Sequence, residues 1–485
     1  MEEKKDIIPL KTKINYGLGS FGLQLTTGLF AAWTLLYYIK IVGINPLLWA
    51  LAWIIYLLWN AINDPLFGYL SDRTRTKYGR RIPYIMVCTP LMAVCFVLLY
   101  FTPIEAGGGV ISAQFIYFIW LLFTLIAYDS FFTIVGLCFN ALMSELSIEP
   151  DERAKMNLFA SIGGGLGLSI TYALPILFIQ NVQPYSQNRP VFLMIVVVLA
   201  IMSVAFLSFT AFGIKERPEL LPDKEENLGL LQSTKTTLKN KNFLIFAVFN
   251  FMMTFVVISV MSILPFYIQD VLEVSSDSLL GTLPLLLYIG FSLVGLPLGI
   301  IMNKKFGNKH AILYLSFVVI VGFIMVTFAN NIILASISFA IIGVGFSGQT
   351  VLVYTLLADI IDQDELETGV RRDGMYFGTD ALITKPAQSV SAAVSGLVFY
   401  FFVYNQNLKA GESQPESAIF GIKLLIGLIP AVFIIIGMIV LWRYPLNPKS
   451  PEYKEMKKRV AILHEQKLQR CRERLACLEE ENRNK

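Results

Sequence analysis

The chain has 485 residues, of which 55% are hydrophobic and 15% charged, with a formal net charge of +4. Soluble domains carry about a quarter charged residues, so a water-soluble enzyme of this length is excluded, and the long apolar runs indicate a polytopic membrane protein. The five cysteines lack metal-ligand spacing, and no nucleophile–base pair appears near either membrane face. No catalysis, no cofactor, no nucleic-acid partner and no metal beyond an alkali cation are therefore expected.

A crossing needs about 20 mostly apolar residues. Twelve segments qualify, at 17–39, 48–70, 84–102, 113–143, 158–180, 191–213, 243–268, 280–302, 311–328, 332–358, 376–404 and 418–443. The charged N-terminus leads into the first of these without a cleavable signal. Loops 71–83, 144–157, 214–242, 303–310 and 359–375 hold 18 Lys/Arg, and the opposite loops hold three, Lys40, Arg189 and Lys409. The positive-inside rule then assigns the first set of loops and both termini to the cytoplasm. The long mixed-charge loop divides the chain into an N-terminal six-helix bundle (1–213), a linker (214–242), a C-terminal six-helix bundle (243–445) and a charged helical tail (446–485).

The halves rhyme at matching places. Gly68-Tyr69-Leu70-Ser71-Asp72-Arg73 with Gly79-Arg80-Arg81 closes span two, and Gly299-Ile300-Ile301-Met302-Asn303-Lys304 with Gly307-Asn308-Lys309 closes span eight. Glu145 ends span four as Asp359 ends span ten. An all-α membrane protein of twelve transmembrane helices in two pseudo-repeat bundles, the major facilitator fold, is expected. In the tail, Ala461, His464, Leu468, Cys471, Leu475 and Leu478 follow heptad steps. This reads as a solvated cytoplasmic helix, with self-association or contact with anionic lipid as the alternatives.

Ionisable groups inside spans are costly unless they face a partner or a cavity. Here they are Asp64, Asp129, Asp380, Lys385 and Lys423. Asp64 and Lys385 lie at similar depth from the cytoplasmic ends of spans two and eleven, so pairing offsets their burial. Asn60 shares the Asp64 helix face one turn away, and Asn60, Asn63 and Asp64 form a hard-oxygen cluster suited to an alkali cation. A lone carboxylate at this depth could equally cycle a proton. Asp129 and Thr133 share one face of span four. The glycine run Gly163–Gly167 in span five reads as close helix packing.

The segment WNAINDPLFGYLSDRTRTKYGRRIPY (59–84) resembles the glycoside–pentoside–hexuronide:cation symporter family, which includes the melibiose carrier. NYGLGSFG (15–22), NALMSELSIEPDERAKMN (140–157), ADIIDQDELETGVRRDGMYFG (358–378) and ALITKPAQSVSAAVSG (381–396) extend the resemblance through all twelve spans. It implies a cation site at Asp64, Asn63 and Thr133, with Asn60 standing where the melibiose carrier has a second carboxylate. It implies coupling through Lys385, beside which Asp129 is placed on residue grounds. One fewer negative charge makes the proton a competitor of Na⁺. The sugar-contact positions of the family fall on Gln24, Gly136, Asn157, Asn140 and Thr350, which departs from the melibiose pattern. Losing carboxylates that grip sugar hydroxyls suits an amphipathic substrate, and equally a different glycoside held by amides and aromatics such as Gln24, Trp33, Tyr37 and Tyr128.

Asp72, Arg73, Arg80, Arg81, Glu145, Asp359, Arg372 and Asp373 supply acids and bases for a cytoplasmic gate. The reading is a cell-membrane secondary transporter, Na⁺- or H⁺-coupled, moving a sugar or glycoside by alternating access as a monomer among membrane lipids. The alternatives are a lysolipid or other amphipathic-solute transporter, and a non-pumping sensor or scramblase.

Overall fold

The computed structural model describes residues 8–74, 76, 79–103, 111–146, 150–178, 185–216, 236–274, 279–368, 372–406, 408, 412–445, 450–451, 453–460 and 462–463. Most of the expected linker and the heptad-like part of the tail lie outside them. The regular structure is helical: α1 (Leu10–Leu36), α2 (Pro46–Arg73), α3 (Ile82–Tyr100), α4 (Ile111–Leu146), α5 (Pro150–Phe178) and α6 (Arg189–Gly213). After the linker follow α7 (Lys241–Phe266), α8 (Leu283–Phe306), α9 (Asn308–Phe328), α10 (Ile332–Thr368), α11 (Asp373–Thr384), α12 (Pro386–Phe401), α13 (Glu416–Lys423) and α14 (Ile429–Trp442).

Local chemistry sets several of these boundaries. A wide π-type turn, Tyr37–Val42, ends α1 against Gly43, whose φ of 76° is open to glycine at little cost. Asn45 caps α2 by accepting the Leu47 N–H at 2.8 Å, with Pro46 in the first turn where its missing N–H is harmless. Asn240 caps α7 through the N–H groups of Asn242 and Phe243. A second π-type turn, Leu424–Leu428, joins α13 to α14.

Eleven helices among the described residues are long and apolar enough to cross a membrane. The span expected over 376–404 is helical over Asp373–Thr384 and Pro386–Phe401. Pro386 has no N–H to donate, so the hydrogen-bond ladder skips one rung between the pieces of 12 and 16 residues, while Lys385 itself keeps right-handed helical angles and its N–H bonds the Ala381 carbonyl at 3.0 Å. Leu58, Phe123, Phe212, Leu293 and Trp442 are exposed on the outside, as suits helices bathed in lipid.

In the first set of helices, α1 packs on α5 and α6, α4 on α2 and α3, and α3 on α6. In the second, α7 packs on α12 and α14, α10 on α8 and α9, and α9 on α14. Each pairing of the first set thus has its counterpart in the second. The principal joints between sets are α1 with α7 and α2 with α12. The α1–α5 contact is close because Gly163 lies on Gly17: a Cβ there would stand 2.1 Å from the Gly17 carbonyl oxygen. Gly165 in the same run faces open space.

Candidate functional site

The in-span charges converge where α2, α4 and the α11–α12 junction meet. The Lys385 ammonium pairs with Asp64, their side chains 29% and 13% exposed, and also donates to the Thr133 hydroxyl at 3.1 Å. Asn63 is fully buried, and its amide donates to the Asp129 carboxylate and, at 3.2 Å, to Thr133. Thr133 therefore links the two polar contacts. The Lys385 carbonyl accepts from the Asn60 amide at 3.4 Å and from the Gln388 N–H at 3.1 Å.

Two carboxylates against one ammonium leave this cluster with a net charge of −1. Asp129 of α4 brings a second carboxylate to the cluster through Asn63. Asn60 and Asn63 each keep a buried amide oxygen without a hydrogen-bond donor among the described residues. Orphaned buried oxygens cost about 1–3 kcal/mol each. With the oxygens of Asp64, Asp129 and Thr133 they are hard donors, the type that alkali cations take. Asp380 stands apart on α11, where both its oxygens accept from Asn250 of α7, at 3.1 and 2.9 Å.

The other predicted residues do not gather around this cluster. Gln24 is half-buried against Gly164 and Gly167 of α5. Tyr128 is buried among Phe30, Phe96 and Phe132. Gly136 is buried with nothing within 4 Å of where a Cβ would project. Asn157, Asn140 and Thr350 are exposed, and the Thr350 hydroxyl donates to the Phe346 carbonyl at 3.0 Å. Trp33 is buried beside Tyr172, and the Tyr37 hydroxyl donates to the Tyr100 carbonyl. Lys423 reaches the Asn330 side chain at 2.6 Å.

Of the gate residues, the side chains of Asp72, Arg73, Glu145 and Asp373 lie outside the described set. Arg372 pairs with Asp364 at 2.6 Å. Arg81 donates to the Ser71 hydroxyl at 2.7 Å, and Glu216 accepts the N–H groups of Arg80, Arg81 and Ile82 at the start of α3. Asp359 binds the tail, accepting from Tyr453 at 2.8 Å and pairing with Lys457 at 2.6 Å. These contacts stay within one helix set or with the tail that follows it.

Contacts that join the sets gather at Lys385 and toward the Gly43 end of α1. Lys40 pairs with Asp270 at 2.6 Å and donates to Gln269 at 3.0 Å. Gln406 donates to the Ile44 carbonyl, and the Trp49 indole donates to the Ala392 carbonyl at 3.0 Å. Sequence reasoning places Lys40 among loop charges and misses this junction. Its signal is Asp270, an acid two residues after an apolar run, although no pattern names its partner 230 residues away.

A family model described as MFS/sugar transport protein matches residues 15–448. The putative glycoside/cation symporter YagG of Escherichia coli (strain K12) is 26% identical, over 92% of this chain and 94% of that protein. The sodium-dependent lysophosphatidylcholine symporter 1 of Mus musculus is 22% identical, over 96% of this chain and 90% of that one. The solved structure of the xylose transporter XylE from E. coli superposes with a TM-score of 0.60 at 14% identity, covering 92% of this chain and 98% of that one, a likeness of fold. With the charge cluster buried at the joint between two sets of apolar helices, the chain belongs to the MFS/sugar transport family of the major facilitator superfamily, multi-pass membrane transporters and not enzymes.

Proposed function

We propose that the protein couples the downhill entry of one monovalent cation to the uptake of a glycoside-type solute by alternating access between two six-helix halves. Both termini are then cytoplasmic, as the Lys/Arg bias of the loops requires, and the monomer is the working unit. The recurrence of the same five helix pairings in each half supports the two-body description.

The observation that carries this reading is the position of Lys385. It binds Asp64 and Thr133, which belong to the opposite half and to the candidate cation site. A cation entering among Asp64, Asp129, Asn63, Asn60 and Thr133 competes with the ammonium for the same oxygens. Occupancy therefore loosens a contact on which the halves hinge, so the cation and the rocking motion are linked. Linkage then requires cation and solute to raise each other's affinity by the same factor. The inter-half contacts at Lys40–Asp270, Gln406–Ile44 and Trp49–Ala392 support an outer side that is closed in this conformation.

The cluster's net charge suits Na⁺ or H⁺. Purified protein in proteoliposomes under an imposed Na⁺ or H⁺ gradient tests both, with radiolabelled glycosides and stoichiometric ion flux as readouts. Solute accumulation driven by one gradient is expected. Solute movement without any ion flux would instead identify a sensor or scramblase. The similarity to a lysophosphatidylcholine symporter over almost the whole chain supports a second reading, a cation-coupled lysolipid carrier, which lysolipid uptake in the same liposomes would reveal.

A further inference from the structure

Beyond α14 the chain stays with the second half. Lys309 of α9 donates to the Trp442 and Tyr444 carbonyls at 2.6 and 2.8 Å, holding the exit from α14. Residues 453–460 are helical again. Ser450 starts this segment by accepting the Tyr453 N–H on its hydroxyl at 3.1 Å, and Pro451 follows where a missing N–H costs nothing.

Tyr453, Lys457 and Val460 recur at the spacing that gives a helix one packed face. That face docks toward the Thr368 end of α10, the cytoplasmic end in the orientation proposed above. The Tyr453 hydroxyl donates to Asp359 at 2.8 Å, and the Lys457 ammonium bridges Asp359 at 2.6 Å and Asp362 at 2.7 Å. The two acids lie three residues apart on α10 and are 2% and 9% exposed. Carboxylates buried so close together repel each other and need a cation. For Asp359, the partners among the described residues, Tyr453 and Lys457, both belong to the tail.

This contact does more than anchor the tail. Asp359 is one of the acids expected to close the cytoplasmic side, and here it is held by its own half. The contacts between halves lie instead at Lys385 and on the outer side, at Lys40–Asp270. The other face of the tail helix is already in water: Lys454, Lys458 and Arg459 are exposed and the Lys457 side chain is 36% exposed, so letting go uncovers little. Release leaves behind an acid pair that a new cation has to match. The loop after α2, on the facing half, carries Arg73, Arg80 and Arg81.

We propose that residues 453–460 are an autoinhibitory strap: Tyr453 and Lys457 occupy Asp359 and Asp362, favour the outer-closed state and let go before the cytoplasmic side closes. The strap rests on the alternating-access reading above and adds a regulatory element that is independent of the solute.

The test has two arms, both on the full-length chain with Cys471→Ser and Cys477→Ser. In intact cells, Ser262→Cys on the outer part of α7 reports outer opening through its reaction with an impermeant thiol reagent. Lys457→Ala should speed this reaction by about fivefold, the scale of one partly exposed ion pair, and Tyr453→Phe by a smaller factor with an unchanged melting temperature. Tyr453→Phe also covers the case in which Lys457→Ala fails to fold. Unchanged rates overturn the strap. In proteoliposomes, Lys457→Cys with Asp362→Cys is joined by a short reducible bis-methanethiosulfonate. Gradient-driven glycoside uptake should stop on joining and return on reduction, while each single-cysteine variant given the same treatment stays active. Full uptake by the joined carrier shows a tail that stays docked through the cycle and overturns the proposal. If no glycoside moves in the unmodified carrier, the glycoside reading falls, and the labelling rates still decide the strap.

Discussion

Replacing Asp64 by Asn isolates the role of one carboxylate. In the wild type, Asp64, Asp129 and Lys385 sum to −1, and the substitution brings the cluster to zero. Lys385 keeps Thr133, and Asp129 lies on the same hydroxyl-linked network, so no charge is left without an opposite. Folding is therefore expected to survive. Cation binding is not: a carboxylate about 4 Å from a monovalent ion contributes about 4 kcal/mol at an effective dielectric of about 20. At about 1.4 kcal/mol per tenfold, the affinity falls by nearly a thousandfold. Gradient-driven accumulation in proteoliposomes should vanish, while the melting temperature in detergent stays near that of the wild type. Accumulation at the wild-type level in Asp64→Asn would refute the reasoning. Lys385→Ala is the complementary change: it leaves two carboxylates uncompensated and should cost about 2 kcal/mol, less than a fully buried pair because the lysine is 29% exposed.

Other expectations follow from contacts elsewhere. Lys40→Met removes the buried pair with Asp270 across the halves, so a cysteine placed at Ser262 should react several-fold faster with an impermeant external thiol reagent; an unchanged rate would remove Lys40–Asp270 as an outer latch. Gly163→Ala presses a methyl group onto the Gly17 carbonyl and should lower the melting temperature by several degrees, whereas Gly165→Ala, facing open space, should leave it unchanged. Hydrogen bonds from Lys13 and Lys155 hold the Glu152 carboxyl down at about 2. Its contribution to stability is then complete above the ordinary glutamate range near 4.5 and is lost as pH falls toward 2. Thermal unfolding at pH 5 and pH 3 should show a smaller loss in Glu152→Gln than in the wild type.

Much of the architecture is legible in the chain. Long apolar segments have to be helices in lipid, where every backbone group must find its partner within the segment. The scarcity of charge makes Asp64, Asp129, Asp380 and Lys385 stand out from their apolar surroundings in the sequence alone. Polar side chains outside the spans are harder to read. Glu216 holds three N–H groups at the start of α3 and Asp359 binds Tyr453 and Lys457, yet in sequence these are ordinary members of charged loops. Trp49 and Trp53 are likewise ambiguous, since one aromatic in a span packs, faces lipid or lines a cavity without changing the local pattern.

By itself the sequence determined that this is a helical membrane protein, because composition, span length and charge bias act locally and add along the chain; its transporter character came from the resemblance of its motifs to a family of cation symporters. It also marked the acids and the lysine whose burial needs an explanation. Only the tertiary structure decided that Asp129 is linked through Asn63 and Thr133 to Asp64 and Lys385, and that Lys40 meets Asp270. Those facts depend on how helices distant in sequence are rotated and stacked, which glycine contacts such as Gly17–Gly163 set through steric fit. A charge pattern along one helix cannot state which face of another it will meet.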